Sequence, residues 1–264
     1  MNLILAYHGV DDLIPEGARW VVYGDRRYDL RRIRVVPSCF RQQMEHLHRN
    51  GFRSVGLDTV LERLRDGGML HPREFCLTFD DGYRDALTVA YPVLKQFGFF
   101  ATIFLVTDKV SESRLNGQFL SWEDVRFLQA EGFGIGAHTC SHPLLTTLSE
   151  HDARREIVVS KTTIETQLGS SVPFFCYPYG DFNPAVENLV RAAGFRGAVV
   201  TPHGPGLQNG IYAMKRVGIN RDNRMCTFRM KVYGFFDWVR ERSIVWKVAM
   251  GVRDILRWPR GGAR

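Results

Sequence analysis

Cysteine is scarce and scattered: Cys39, Cys76, Cys140, Cys176 and Cys226 are odd in number and form no CxxC pair. That usage argues against a disulfide framework or a cysteine-type zinc site and fits reduced thiols. Long apolar runs are absent too, none approaching the roughly 18 residues of a spanning helix. The opening apolar stretch through Ala6 and Tyr7 is short, has no basic leader and meets His8 at once. It predicts a first core strand rather than a signal peptide, and hence a cytoplasmic protein. No Pro/Ser-rich linker and no low-complexity segment breaks the chain, so one domain over residues 1–222 is the economical division.

What is present is ordinary globular composition, 45% hydrophobic and 24% charged. A chain of this length buries a sufficient core without covalent staples. The net charge of +7 comes mostly from arginine and permits anionic partners without choosing among them. Short apolar runs alternate with helical patterns. Strands are predicted over 3–7, 75–79, 99–105, 133–137, 174–177, 197–201 and 217–219. Helices are predicted from Pro37 to Asn50, up to Phe97, from the capping box at Ser121, over 149–168, and from Pro184 to Gly194. Such alternation predicts a parallel sheet, open or closed into a barrel.

The reactive side chains fall just past the ends of these strands. His8 follows the first, Asp80 and Asp81 the second, His138 and His142 the fourth, and Tyr179 and Gly180 the fifth. An open sheet would spread these groups along a line, whereas a βα barrel gathers them on one rim, so convergence favours a barrel.

Asp80-Asp81-Gly82 taken alone reads first as a polar turn after a strand. Its second reading is a carboxylate pair, which needs a cation to be comfortable; one Asp ligates and the other stays free for proton transfer. His138 and His142 are four residues apart, either on one face of a helical turn or, because Pro143 disfavours α geometry at His142, in a tight turn. Seen alone they are equally well two exposed loop histidines. Beside the Asp pair, the metal reading prevails: two His and one Asp leave a coordination position open. Cys140, between the histidines, is expected to point away and be buried as a small apolar residue. Gly132-Phe133-Gly134-Ile135-Gly136 mimics a dinucleotide fingerprint but lies inside a strand, which rejects that reading.

Thr78-Phe79-Asp80-Asp81-Gly82-Tyr83, Gly136-Ala137-His138-Thr139-Cys140-Ser141-His142-Pro143 and Phe175-Cys176-Tyr177-Pro178-Tyr179-Gly180 resemble, in order and spacing, the three motifs of the polysaccharide deacetylase family. This family is also called the NodB-homology or carbohydrate esterase 4 group. The opening Ile4-Leu5-Ala6-Tyr7-His8-Gly9-Val10 is similar to the branch containing poly-N-acetylglucosamine deacetylases. The resemblance implies a distorted (β/α) barrel, here of about seven strands. It implies a divalent ion, zinc in type, on Asp81, His138 and His142, with Asp80 as general base, His8 as acid and the Tyr179 N–H at the oxyanion. It implies an acetylated amino sugar, in a glycan or glycolipid intermediate, as substrate and no nucleic-acid partner. Relatives often carry an arginine where this chain has Cys176, and the late Leu-x-His motif is missing. Arg216 is the candidate to orient Asp80 or to touch substrate.

Two segments lie outside this core. Arg19, Arg26, Arg27, Arg31, Arg32 and Arg34 form either a clamp for an anionic group or, the preferred reading, a solvated flap. Residues 223–264 read as a basic amphipathic helical extension rich in tryptophan. It suits either an anionic membrane surface, placing the protein at the inner membrane face, or packing against protein. Two other functions stand beside the hydrolase: a non-catalytic glycan-binding relative, and a 2-His-1-carboxylate iron oxygenase, whose site is normally held by an all-β barrel.

Overall fold

The computed structural model describes residues 2–11, 20–23, 26–113, 117–200 and 210–235, the side chains of 20–23 and 26–28 excepted. The chain divides into two units, the second beginning at Met225. In the first, strands β1 (Ile4–Tyr7), β5 (Glu74–Phe79), β6 (Thr102–Leu105), β7 (Gly134–Ala137), β8 (Phe174–Cys176), β9 (Gly197–Val200), β10 (Met214–Lys215) and β11 (Val217–Gly218) are joined in parallel. The path runs β10-β9-β8-β7-β6-β5-β1-β11. A short strand β4 (Arg53–Ser54) adds to β5, and β2 (Trp20–Tyr23) and β3 (Arg26–Asp29) form a separate antiparallel hairpin.

The path closes in an unusual manner. Its two end strands, β10 and β11, are one chain segment interrupted only at Arg216. Met214 and Lys215 pair with Val199 and Val200, whereas Val217 and Gly218 pair with Leu5 and Ala6. The eight strands therefore make a nearly closed barrel, seven if the interrupted segment is counted once, in keeping with the expected distorted (β/α) barrel.

Successive strand residues face opposite sides of a sheet. Ile4, Cys76, Phe104, Phe174, Cys176, Val199 and Met214, alternate residues of their strands, meet in one buried cluster. On the opposite face of β1 and β5, Tyr7 and Phe79 pack with Phe40 of α1 (Pro37–Arg49). The barrel interior is crowded, which explains the glycines of β7. A Cβ on Gly136 would run into the Phe104 ring, and one on Gly134 would stand 2.8 Å from Thr102 Oγ1. The apparent dinucleotide fingerprint is thus a packing requirement.

The helices are α1, α2 (Leu57–Arg65), α3 (Tyr91–Phe97), α4 (Thr107–Ser111), α5 (Trp122–Ala130), α6 (Glu150–Leu168) and α7 (Pro184–Ala192); α8 (Met225–Val232) belongs to the second unit. Ser121 and Asp124 make the expected capping box, and Asn183 caps α7 ahead of Pro184. The predicted helix up to Phe97 is instead a π turn, Ala86–Ala90, running into α3. Pro92 has no N–H to donate to residue 88 and its ring crowds that carbonyl, so the turn before it widens. The strand predicted from Phe99 begins only at Thr102, because Gly98 ends α3 in the left-handed region and Phe99 donates back to Leu94. No helix of the described residues is long and apolar enough to cross a membrane. The basic extension predicted after Asp237 lies outside the described residues.

Candidate active site

The inward register continues one step past the strands and delivers the site. Cys76 and Thr78 precede Asp80; Gly134 and Gly136 precede His138; Ile4 and Ala6 precede His8; Met214 precedes Arg216. The same period of two that fills the barrel therefore turns these four polar side chains toward its C-terminal mouth.

Asp80 is 1% exposed, and its carboxylate is gripped by Arg216: Nη1 and Nη2 donate to Oδ1 and Oδ2, each at 2.7 Å. Arg216 also donates to Thr78 Oγ1 at 3.0 Å and lies 3.1 Å from Cys176 Sγ. The missing arginine at position 176 is thus replaced in space by one from the interrupted closing strand. Burial raises the Asp80 carboxyl, but the guanidinium outweighs it and leaves the group below its ordinary range. His8 Nε2 stands 3.8 Å from Asp80 Oδ2, with its side chain 21% exposed.

Asp81 turns the other way. Its φ of 70° swings the carboxylate toward the two imidazoles, with Oδ1 at 3.3 Å from His142 Nε2 and 3.7 Å from His138 Nε2. His138 Nδ1 lies 2.7 Å from the Cys176 carbonyl, which can only accept, so Nδ1 carries the proton and Nε2 presents a lone pair. The two Nε2 atoms are 3.1 Å apart. Burial lowers the pKa of both histidines, that of His142 to about 3 against the opposing pull of Asp81, so both are neutral at pH 7. Among the described residues, Asp81 Oδ1 is buried without a hydrogen-bond donor. A buried anionic oxygen without a donor, facing two imidazole lone pairs, is a donor set that fits a divalent cation. A second set, Asp80, His138 and Cys176, is also within ligand reach. The Arg216 cation already occupies it.

Among the described residues, four that are not glycine take a positive φ, and all belong to this site: Asp81, Thr139, His142 and Tyr179. Such conformations cost about 1–3 kcal/mol each and persist where surroundings over-determine them. The 138–142 segment is a tight turn, as Pro143 demanded, with Thr139 Oγ1 accepting from His142 N at 3.0 Å. Tyr179, φ 57°, sets its ring edge-on to His142 at 4.5 Å. Asp181 ties its loop to Thr146, accepting from N and Oγ1 at 2.9 and 2.8 Å.

Other expectations change. Cys140 is only half-buried, its thiol donating to the Glu156 carbonyl at 3.5 Å, and belongs to neither ligand set. The described arginines of the flap are paired: Arg31 with Asp29, Arg32 with Asp222, and Arg34 with both Asp11 and Asp85. That leaves little charge for an anion clamp; Arg19 and the side chains of Arg26 and Arg27 lie outside the described residues. Arg34 is buried beside the site, stacked 4.6 Å over Tyr83, and a Cβ on Gly9 would stand 2.8 Å from its Cζ. Sequence reading passed over this cluster because an arginine inside an arginine run gives no sign of burial.

Fold and site together define a (β/α) barrel with a two-His, one-Asp donor set and a separately held carboxylate on its C-terminal rim. The polysaccharide deacetylase family model matches residues 68–198, and the chain belongs to that family. The YxkH protein of Bacillus subtilis is 29% identical over 191 residues, 71% of this chain and 66% of that one. The poly-β-1,6-N-acetyl-D-glucosamine N-deacetylase of Escherichia coli K12 is 25% identical over 212 residues, 65% of this chain. The chain spans only 32% of that protein's length. Among solved structures, the Streptococcus pyogenes deacetylase PplD in complex with acetate superposes with a TM-score of 0.74 at 23% identity, covering 88% of this chain and 97% of that one. IcaB from Ammonifex degensii gives 0.68 at 21%, covering 88% and 95%. At those identities the structures speak to the fold.

Proposed function

We propose that the protein is a metal-dependent hydrolase that removes the N-acetyl group from an amino sugar within a glycan or glycolipid. The observation that carries this reading is the division of labour between adjacent carboxylates: Asp81 faces two neutral imidazoles, while Asp80 is turned away onto Arg216. Family membership and the deacetylase named above as a relative support the substrate class.

Asp81, His138 and His142 would hold the ion, of which zinc is the type that suits two nitrogens and one oxygen. When bound, such an ion lowers the pKa of a coordinated water toward about 7 and polarises a carbonyl. Asp80, kept ionised by Arg216, accepts the proton of the attacking water. The Tyr179 N–H donates to the oxyanion as the carbonyl becomes tetrahedral. His8, partly exposed and on the Asp80 side, delivers a proton to the departing amine, which cannot leave as an anion. A glycan-binding relative without catalysis would need neither the held carboxylate nor the histidine. The oxygenase alternative drew on an all-β scaffold, and the parallel α/β barrel speaks against it.

Acetate release from N-acetylglucosamine oligomers, with and without a chelator, tests the proposal. Release that stops on chelation and returns with zinc is expected; no release from any N-acetylated glycan or lipid-linked sugar overturns it. A cytoplasmic or inner-membrane-face location belongs to the same proposal and is read by cell fractionation, recovery outside the cytoplasmic membrane counting against it.

A further inference from the structure

The turn that carries both histidines has a second holder that no motif contains. We propose that Glu156, on α6, is the positioning residue that keeps the His138–His142 turn in its ion-binding shape; this rests on reading Asp81, His138 and His142 as an ion site. Its carboxylate accepts from the Cys140 N–H at 2.8 Å, from the Ser141 N–H at 2.9 Å and from the Ser141 hydroxyl at 2.8 Å. Two consecutive backbone amides in the middle of the turn thus converge on one charged group.

The carbonyls of the same turn are fixed from the other side. Thr139 O accepts from Thr107 N at 3.3 Å and Cys140 O from Asp108 N at 3.1 Å, both in the first turn of α4. The turn is therefore clamped between two helices, its donors on α6 and its acceptors on α4. Such over-determination is what a turn with Thr139 and His142 both at φ 66° requires. An unclamped turn would relax Thr139 and His142 toward negative φ, and the His142 imidazole would swing off the Asp81 carboxylate. Among the described residues the Glu156 carboxylate bonds to Cys140 and Ser141 and not to the imidazoles, so it acts on the ion through the backbone between them.

Glu156 is also placed to do this. Ala153, Ile157 and Ser160 are the buried residues of that stretch of α6. Glu156 lies beside Ile157, half-buried, one turn below Ser160. An exposed helix glutamate has no reason to spend its carboxylate on a loop's amides; this one is held where the loop passes.

The test is cobalt(II) binding by the full chain, followed by its visible absorption and by competition with zinc, in wild type, Glu156→Gln and Glu150→Gln. Glutamine keeps the shape but turns one amide donor toward the turn's own donors. Glu156→Gln is expected to bind about 10- to 100-fold more weakly, the range for loss of groups that support metal ligands, with an altered cobalt spectrum. Glu150→Gln, an exposed position on the same helix paired with Arg154, is expected to match wild type. Ser141→Ala, which keeps both amide bonds, is expected to stay within a few-fold of wild type and guards against misfolding of the first variant. Wild-type affinity and spectrum in Glu156→Gln would overturn the proposal, as would an equal loss in Glu150→Gln. Failure of the wild type itself to bind cobalt or zinc would instead overturn the ion site, a separate result.

Discussion

Replacing Arg216 by methionine is the perturbation whose consequences follow most directly from the geometry. The guanidinium makes two charge-assisted bonds to Asp80, at 2.7 Å each, and Asp80 is 1% exposed. Methionine fills much of the volume but leaves the carboxylate buried and unpaired, which costs about 3–5 kcal/mol of stability. The protein limits that cost by protonating Asp80. Each charge-assisted bond contributes about 1.5–3 kcal/mol, and 1.36 kcal/mol is one pK unit, so the carboxyl should rise by about 2 units or more. Asp80 must be ionised to accept a proton, and its folded pKa is depressed in the wild type. The acidic limb of kcat/KM should therefore move up by about 2 pH units in Arg216→Met. Urea denaturation at pH 7.5 reads the first effect and a pH–rate profile on N-acetylglucosamine oligomers the second. A rescue sharpens the test. Cys176 touches Arg216 across the barrel, at the position where relatives often carry arginine. The double variant Cys176→Arg/Arg216→Cys conserves the side-chain atoms and should recover part of both losses. Stability within 1 kcal/mol of wild type and an unmoved acidic limb in Arg216→Met would refute the reasoning.

Gly136→Ala should lose about 1–3 kcal/mol by overpacking against Phe104, measured by chemical denaturation; a neutral result would mean that the barrel interior has slack. Asp85, buried against Arg34 and Asp11, has its carboxyl pushed up to about 7 by burial, with Arg34 and the Val10 N–H opposing and Asp11 adding to the rise. A raised carboxylate pKa means that the folded state holds the proton longer than the unfolded chain, whose pKa is about 3.9. Wild-type stability relative to Asp85→Asn should therefore fall as pH rises from about 4 to about 7, by up to about 4 kcal/mol, and be flat on either side. A difference that grows with pH across that window would show the opposite sign.

Much of this was legible before the fold was known, and the boundary has physical causes. The period of two in the strands fixes which residues share a face, so Asp80, His138 and His8 are traceable to one rim from spacing alone. The tight turn at His142 follows from Pro143. Backbone handedness does not follow, because Asp81, Thr139, His142 and Tyr179 take positive φ without being glycine. Their strain is held by distant groups that local sequence does not name. Arg216 gave only a weak signal, since two-residue strands on either side of it leave no periodicity to read. Glu156 gave none, because a glutamate on a charged helix looks like a solvated one. The helix α2, in contrast, carries its pattern openly in Leu57, Val60, Leu61 and Leu64.

The central claim is that adjacent carboxylates do different work, one on the ion and one on the proton. Zinc content and acetate release, measured side by side on Asp80→Asn and Asp81→Asn, test it most directly. Asp80→Asn should retain a full equivalent of zinc while losing at least about 100-fold in kcat, in the range of general acid–base catalysis, and Asp81→Asn should lose the zinc itself. Full activity in Asp80→Asn, or undiminished zinc binding in Asp81→Asn, would contradict it.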